Sequence, residues 1–260
     1  MLRRMYQLLI ELTNHRLSSW LIRKFSMSKA SAKMISSYAR IFDINQEEME
    51  KPLAEYQTLQ DLFIRHLKPS ARLINQAETA IVSPVDAKIE EYGTITASRE
   101  ITVKKKLYSI EEMVANQNVL EKYIEGQFII LYLSPRDYHR IHSPISGKIT
   151  SQWEAGQKSY PVNQWGLKYG KDPLIKNFRK LTELKGTDGH VLMAKVGAMF
   201  INSIQMTCKK EQVERGEEVA YFTFGSTVIL LFEKNTMEFL PSLQMGHHIK
   251  VGEPIGNIKK

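Results

Sequence analysis

Residues 224–232 read Phe-Gly-Ser-Thr-Val-Ile-Leu-Leu-Phe, a glycine and a serine followed by an apolar run. Runs of Val, Ile, Leu and Phe are typical of a buried strand, so this stretch predicts one. Gly225 would allow an unusual backbone conformation where the strand begins. Ser226 would then lie at the edge of a rigid element, a position that suits a catalytic group. A simple turn before a strand is the plainer interpretation of the same pair.

The chain changes character around this strand. Residues 76–260 contain short apolar runs separated by glycine, proline and aspartate, which is typical of a mainly antiparallel β domain. Residues 1–75 have helical patterns instead, with Thr58 predicted to cap a helix that extends through Leu67 and stops before Pro69. The predicted fold class is therefore α+β: N-terminal helices followed by a β-sandwich or barrel-like catalytic domain.

Within the β region, two local signals interrupt or connect the strands. Ser109-Ile110-Glu111-Glu112 has the pattern of a capping box and predicts one short helix. Asp188-Gly189 predicts a hairpin turn.

Two pairs of internal echoes also occur there. Residues 83–89 resemble residues 143–149, and residues 213–219 resemble residues 249–255. Paired repeats of this kind predict a sandwich in which similar hairpins stack face to face.

The positive charge of the chain is concentrated at one end. The net charge is +8, and residues 1–40 carry eight basic side chains against the single acid Glu11. A basic patch of this kind indicates an anionic partner surface, either nucleic acid or acidic lipid. Cys208 is the one cysteine, which excludes an internal disulfide and suits a reducing compartment.

Residues 2–25 have a helical period of apolar side chains with basic residues mostly off that stripe. Trp20 and Phe25 lie on the apolar side, a pattern that favours a helix lying in a membrane interface. A helix packed on the protein's own core, or on a second copy in a homodimer, stays open as an alternative. Nucleic acid is disfavoured because the aromatic residues are not among the charges. No apolar run is long enough to span a bilayer.

Four side chains are candidates for chemistry: Asp86, His139, His142 and Ser226. Together they supply a relay in which a histidine takes the serine proton and an aspartate orients the histidine. The spacing of His139 and His142 could serve a metal only on a helix, and the surrounding prolines and β-type residues favour strand and turn. No metal is therefore predicted.

The stretches that carry these residues resemble one known family. SPVDAKI at 83–89, LSPRDYHRIHSPISG at 133–147 and FGSTVILLF at 224–232 are similar to motifs of the phosphatidylserine decarboxylases. The resemblance extends from about residue 45 to the C-terminus. Ala87 and Asn202 depart from the family pattern, at positions where glycine is usual.

The resemblance implies a proenzyme that cuts itself between Gly225 and Ser226, giving chains 1–225 and 226–260. Ser226 would attack the Gly225 carbonyl, with His142 as base and Asp86 orienting it. Elimination and hydrolysis would convert Ser226 into a covalent pyruvoyl cofactor at the start of the small chain.

The implied reaction turns phosphatidylserine into phosphatidylethanolamine. The pyruvoyl group would form a Schiff base with the lipid amine and accept the electrons left when CO2 departs. His139 is the implied proton donor to that carbon. The implied location is the cytoplasmic side of the cell membrane, as a peripheral protein on an anionic lipid surface.

Two other classes of function remain open. One is a serine hydrolase that uses the same relay without cutting itself, and the other is a non-catalytic protein that binds membrane surfaces. A denaturing gel with an intact-mass measurement separates the three, because self-cleavage alone predicts two chains from a precursor of 30.0 kDa.

Overall fold

The computed structural model describes residues 16–162, Leu167, and residues 172–198 and 203–259. Its helices are short. They are α1 Arg16–Ser26, α2 Ile35–Ile41, α3 Leu59–Phe63, α4 Ile110–Val114, α5 Gln117–Leu120 and α6 Pro173–Lys176, with 3-10 turns at Lys29–Met34, Leu53–Glu55, Pro69–Ala71 and Glu121–Tyr123. Of the helix predicted over residues 2–25, the part before Arg16 lies outside the described residues.

Strands make up most of the remainder, and all pairs between them are antiparallel. They are β1 Ala80–Val82, β2 Ala87–Thr94, β3 Glu100–Val103, β4 Lys106–Ser109, β5 Gln127–Leu133, β6 Arg140–His142, β7 Gly147–Ala155, β8 Arg179–Lys185, β9 His190–Gly197, β10 Ile204–Met206, β11 Gln212–Val213, β12 Glu218–Phe222, β13 Ser226–Phe232, β14 Met237–Phe239, β15 His248–Ile249 and β16 Pro254–Ile258. The predicted α+β class is confirmed.

Strand β13 lies inside an eight-stranded sheet of order β11-β7-β8-β9-β13-β5-β2-β15. All seven of its residues are buried, and it pairs with β5 on one side and β9 on the other. The apolar run after Gly225 is thus the buried strand that its composition predicts.

The two faces of this sheet bury separate apolar clusters. One face, with Leu131 and Leu230, packs against two three-stranded sheets of order β1-β16-β14 and β10-β12-β6. The other face, with Ile130 and Ile229, packs against the β3–β4 hairpin and helices α4 and α5. Alternate residues of β13 therefore enter different layers, as the period of a strand requires.

The sheets contain an internal duplication. Strands β6–β12 form one unit, which we call the inserted repeat. Strands β1, β2, β5 and β13–β16 form a second unit with the same order of pairing, which we call the host repeat. The eight-stranded sheet is symmetric about the β9–β13 pair, and each repeat adds one three-stranded sheet.

Register shows that the correspondence holds residue by residue. Lys88 pairs with Tyr132 just as Lys148 pairs with Lys185. The pairing register then shifts after Ile89 in the first ladder and after Ile149 in the second. The pair Val82–Pro254 likewise matches His142–Glu218. The sequence echoes lie in equivalent strands of the two repeats, so they reflect a duplicated unit.

The two repeats differ in how one pair of central strands is connected. In the inserted repeat, β8 and β9 are joined by a tight hairpin in which the Gly186 N–H donates to the Gly189 carbonyl, 2.9 Å away. The predicted Asp188-Gly189 turn is therefore confirmed. In the host repeat the equivalent pair is Leu133 and Ser226, and residues 134–225, which include the inserted repeat, lie between them.

Two predicted helix caps are confirmed. The Thr58 side chain accepts from the Asp61 N–H at 3.0 Å, and the Ser109 side chain accepts from the Glu112 N–H at 3.2 Å. Each hydroxyl satisfies an N–H group that the first turn of a helix leaves unpaired.

The predicted extent of the helix after Thr58 is wrong. It ends at Phe63, because Leu67 instead forms an antiparallel bridge with Met49, flanked by backbone hydrogen bonds on both sides. Pro69 begins a 3-10 turn rather than ending the helix. Much of the region between α2 and β1 is not helical, so residues 28–75 are less helical than predicted.

Ala87 and Asn202 both depart from the family pattern. Ala87 occupies an ordinary strand position opposite Ile249, where a methyl group is accommodated. Asn202 lies outside the described residues.

Candidate active site

Ser226 is the first residue of β13 and is fully buried. Among the described residues its Oγ has no hydrogen-bond partner. Immediately before it, the Gly225 carbonyl oxygen accepts the Ala198 N–H at 2.8 Å. Buried hydroxyls are normally paired, so an unpaired one beside a glycine carbonyl calls for an explanation.

Close backbone packing surrounds this peptide bond. A methyl group on Gly197, which pairs with Ser226, would come within 2.3 Å of the Ser203 Oγ. Ser203 is itself buried, and its carbonyl accepts the Thr223 N–H at 2.7 Å. The Asn177 side chain donates to the Gly197 carbonyl at 2.9 Å. Gly197 is therefore required to bring these segments together.

His139 lies in the loop before β6 and is completely buried. Its Nδ1 is 2.8 Å from the Asp137 carbonyl, while its Nε2 has no hydrogen-bond partner in the described part of the chain. The Phe63 ring packs on the imidazole with 3.8 Å between centroids, and the same ring stacks on Phe224 at 5.3 Å. Phe63 thus links His139 to the stretch that contains the Gly-Ser pair.

The His139 ring is neutral near pH 7. Burial, followed by the nearby Arg65 guanidinium, lowers its pKa to about 3. A carbonyl oxygen can only accept, so the His139 Nδ1 carries the proton and Nε2 presents a lone pair. His139 Nε2 therefore presents a hydrogen-bond acceptor, while burial and Arg65 disfavour the charged ring.

His142, at the end of β6, has both ring nitrogens occupied. Its Nδ1 donates to the Gly216 carbonyl at 2.8 Å, and its Nε2 accepts the Tyr138 hydroxyl at 3.3 Å. Burial lowers its pKa, and the Gly216 carbonyl with the carboxylates of Glu218 and Asp86 only partly offsets that effect.

Asp86 is held by other groups. Its carboxylate forms an ion pair with Arg72 and accepts the Val251 N–H at 2.9 Å. It makes no hydrogen bond to His142, whose Nδ1 is oriented by Gly216 instead. The direct Asp86–His142 hydrogen bond of a relay is therefore absent, and Asp86 acts on His142 through its charge.

Comparing the two repeats shows how Asp86 differs from its counterpart. Its counterpart in the inserted repeat is Ser146, whose Oγ accepts the Arg215 N–H at 3.0 Å in place of the Val251 contact. Both side chains fasten the same kind of turn. Only the host repeat does so with a charge, and only there does Arg72 approach.

Arg72 and Arg65 are the site residues that sequence reasoning missed. Arg72 bridges Asp86 and Glu48. Burial alone would lower its pKa, but hydrogen bonds to those two carboxylates raise it. Arg65 belongs to the sequence FIRHLKP at 63–69, within the part of the chain over which the family resemblance extends. The pattern around Arg72 has no feature that marks its partner.

The surface next to the site carries apolar side chains on α1. Trp20, Leu21 and Phe25 are 50%, 53% and 41% exposed, and Lys24 lies over the Trp20 ring at 4.3 Å. Ile22 turns inward and packs on the same cluster as Phe224. Helix α1 therefore has an exposed aromatic face and one inward-facing side chain that packs on the core. None of the described helices is both long and apolar enough to cross a membrane.

A metal centre finds no support at the two histidines. Across the described ranges, no three His, Cys, Asp or Glu side chains are grouped as metal ligands. His139 and His142 contact different partners, as expected for an extended segment.

Known proteins resemble this chain along its whole length. The family model for phosphatidylserine decarboxylase matches residues 59–257. The chain is 55% identical over 259 residues to a phosphatidylserine decarboxylase proenzyme of Geobacillus sp. strain WCH70, with 100% of both chains covered. Proenzymes of the same description from Anoxybacillus flavithermus and Geobacillus kaustophilus are each 53% identical, over 98% and 97% of this chain and 97% and 96% of their own.

Proposed function

The chain belongs to the phosphatidylserine decarboxylase family, and from this premise we propose that it breaks its own Gly225–Ser226 bond before it acts. It is a carboxy-lyase that converts phosphatidylserine into phosphatidylethanolamine. The observation that carries the self-cleavage step is the buried, unpaired Ser226 Oγ beside a carbonyl already held by the Ala198 N–H.

Ser226 is placed to act on the bond that precedes it. Attack by its Oγ on the Gly225 carbonyl carbon forms a C–O bond, and the hydroxyl proton passes to a base. The Ala198 N–H, 2.8 Å from the carbonyl oxygen, stabilises the negative charge that develops there. The C–N bond then breaks as the nitrogen takes a proton, and an ester joins the two residues.

Elimination completes the cut. Loss of the Ser226 α-proton expels Gly225 as a carboxylate, and water then replaces the nitrogen of residue 226, which leaves as ammonia. The products are chains 1–225 and 226–260, the second beginning with a pyruvoyl group. When formed, that group supplies a carbonyl that withdraws the electrons left by departing CO2.

The site fits such a group. Residue 226 is buried, its side-chain oxygen has no competing partner, and its strand pairs with β5 and β9 on both sides. Two ladders would keep the small chain bound after its covalent link is lost.

His142 is the proposed base for self-cleavage, by its match to the family. It is neutral near pH 7, so its Nε2 can accept a proton once the Tyr138 hydroxyl exchanges its position. Asp86 and Arg72 would set the local charge rather than orient the ring directly.

His139 is the proposed proton carrier for decarboxylation. Its Nε2 lone pair would take a proton from the ammonium group of the lipid. The same nitrogen would then return the proton to the carbon that has lost CO2. Acceptance therefore comes before the donation that the family resemblance implies.

The substrate is a lipid, and the proposed location is the cytoplasmic surface of the cell membrane. Exposed Trp20 and Phe25, with Arg23 and Lys24 in the last turn of α1, favour an anionic bilayer interface. A homodimer through the same face is the competing arrangement. Vesicle sedimentation separates the two, because lipid binding through α1 requires anionic vesicles and falls with salt.

The deciding experiment is an intact-mass measurement on the purified wild-type protein. We expect two chains, with residues 226–260 carrying a pyruvoyl terminus, and phosphatidylethanolamine as the product. A single uncut chain of 30.0 kDa would overturn the proposal. A serine hydrolase would remain uncut and release fatty acid or another acyl product.

A further inference from the structure

Arg65 is a buried arginine to which no carboxylate of the described ranges is hydrogen-bonded. It lies just after α3 and is 4% exposed. Its Nη2 donates to the carbonyls of Arg136 at 2.7 Å and Asp137 at 3.0 Å, and its Nη1 donates to the Leu62 carbonyl at 3.3 Å. Burying a guanidinium among neutral acceptors is costly, so the presence of Arg65 at this place indicates a specific task.

The Asp137 carbonyl joins Arg65 to the candidate active site. The same oxygen that accepts from Arg65 also accepts the Nδ1–H of His139 at 2.8 Å. One short segment makes both contacts. Phe63, two residues before Arg65, packs on the His139 ring. Residues 63–65 therefore hold both the ring and the carbonyl that it bonds.

We propose that Arg65 is a positioning residue that fixes the orientation and the tautomer of His139 by clamping the Asp137 carbonyl. Its planar guanidinium holds the Leu62 carbonyl with Nη1 and the Arg136 and Asp137 carbonyls with Nη2, an arrangement that the single nitrogen of a lysine cannot reproduce. With Nδ1 committed to that carbonyl, Nε2 is left as the free acceptor. The inference rests on the proposed function only in giving His139 a proton to carry.

Charge adds a second effect. Within the described part of the chain, Arg65 is the one charged side chain from another element that acts on His139. The Asp137 carboxylate is turned to the backbone and side chain of Ser134, at 2.7 Å each, and Arg140 is turned to Glu218 at 2.8 Å. Burial and the Arg65 cation both disfavour a charged imidazole, so they act in the same direction.

The first test measures the tautomer in an uncut chain, without reference to activity. We would label histidine with 15N in the Ser226→Ala protein and identify His139 by the signals lost in a further His139→Gln change. We expect the His139 ring to stay neutral, with its proton on Nδ1, from pH 5 to pH 8. An ordinary histidine would titrate within that range.

Two substitutions separate geometry from charge. Arg65→Lys keeps the cation but loses the fork, so we expect a mixed tautomer and a ring that stays neutral. Arg65→Met removes both, so we also expect the His139 pKa to rise, by roughly one unit for a charge at this range, and the titration is extended to acid pH to follow it. If Arg65→Met fails to fold, Arg65→Lys carries the test of the tautomer.

Arg179→Met is the matched control. Arg179 is also buried and also donates to backbone carbonyls, including those of Met113 and Asn177, but it does not contact His139. We expect lower thermal stability with an unchanged His139 spectrum. Wild-type tautomer and pKa in both Arg65 variants would overturn the inference.

The cleaved enzyme gives an independent readout. We expect Arg65→Met to cut itself and to show the acid limb of kcat/KM moved to higher pH, with Arg65→Lys restoring the wild-type limb at a lower kcat. A lower rate with no movement of the limb would reduce Arg65 to a structural role. Failure of the wild-type chain to cut would overturn the proposed function and leave the spectroscopic result standing.

Discussion

The tip of the β8–β9 hairpin and the start of β13 occupy equivalent places in two copies of one unit. At the first, Thr187 and Asp188 close a turn between Gly186 and Gly189. At the second, Leu133 and Ser226 stand opposite each other with the inserted repeat between them. The comparison teaches that the candidate scissile bond lies where one copy of the unit was opened to admit the other.

What differs chemically follows from that opening. The connection from β5 carries Asp137, His139 and His142, and the return into β13 carries Gly225 and Ser226. In the inserted repeat the position equivalent to Ser226 is held by Gly189, and in the host repeat the position equivalent to His142 is held by Val82. The candidate reactive groups are therefore divided between the two copies, with Asp86 and Ser226 in the host repeat and His142 in the inserted repeat.

Ser226→Ala should have the largest effect on this comparison, because it removes the proposed nucleophile from the host repeat. We expect one uncut chain and a decarboxylase rate lower by about 10³-fold or more. Intact mass and product analysis check it. Two chains from this variant would show that the cut does not use the Ser226 hydroxyl.

His139→Ala should leave the cut intact but impair turnover. Loss of a general acid or base costs about 10²–10⁴-fold, so we expect two chains with slow release of phosphatidylethanolamine. Single-turnover assays on the cleaved protein measure it. If this variant also stays uncut, His139 rather than His142 is the base for self-cleavage.

Asp86 and Ser146 are equivalent residues of the two repeats, and only Asp86 is charged. Asp86→Asn removes that charge, and Ser146→Ala is the matching change in the inserted repeat. Removing the charge leaves the partly buried Arg72 with Glu48 as its carboxylate partner, so we expect a loss of about 2 kcal/mol in the free energy of unfolding and slower cutting. For Ser146→Ala we expect about 1 kcal/mol and a normal rate of cutting. Equal effects from the two would mean that Asp86 only fastens its turn.

Gly197→Ala should disturb the packing behind the bond by a smaller amount. Its methyl group would overlap the Ser203 Oγ, with an expected cost of about 1–3 kcal/mol and slower cutting. Adding Ser203→Ala should recover most of both losses. Urea unfolding and time-resolved gels measure the two effects, and an absence of recovery would place the strain elsewhere.

Gly189→Ser should have the smallest effect, since it gives the inserted repeat a serine at the position equivalent to Ser226. We expect no cut there, because the closed turn brings no His139 or His142 to it. We expect a cost of about 1–2 kcal/mol, because residue 189 has φ of +143°. Gly189→Ala should cost about as much, and a new fragment ending at residue 188 would contradict the comparison.

Local patterns predicted the parts of the fold that depend on local physics. The buried strand after Gly225, the caps at Thr58 and Ser109 and the Asp188-Gly189 turn each follow from a few neighbouring residues. The end of the helix at Phe63 did not, because the bridge between Leu67 and Met49 depends on a distant segment.

The candidate site was predictable to the same degree. The residue types at 86, 139, 142 and 226 suggested a relay, and the family resemblance gave them roles that remain predictions. The partners of these residues were not predictable, because Arg72 reaches Asp86 and Arg65 reaches Asp137 through folding of separate segments. The echoes at 83–89 and 143–149 indicated a repeat, but only the strand register showed that one copy is inserted into the other.

The place of residue 226 in the middle of an eight-stranded sheet has a consequence for assembly. Chain ends normally lie at the surface, and a free α-amino group entering this position would have to shed its charge and its water. The peptide link to Gly225 would then act as a temporary tether, which lets β13 reach its place at high local concentration and is removed only afterwards. An end that carries a ketone instead of an ammonium can stay there without charge.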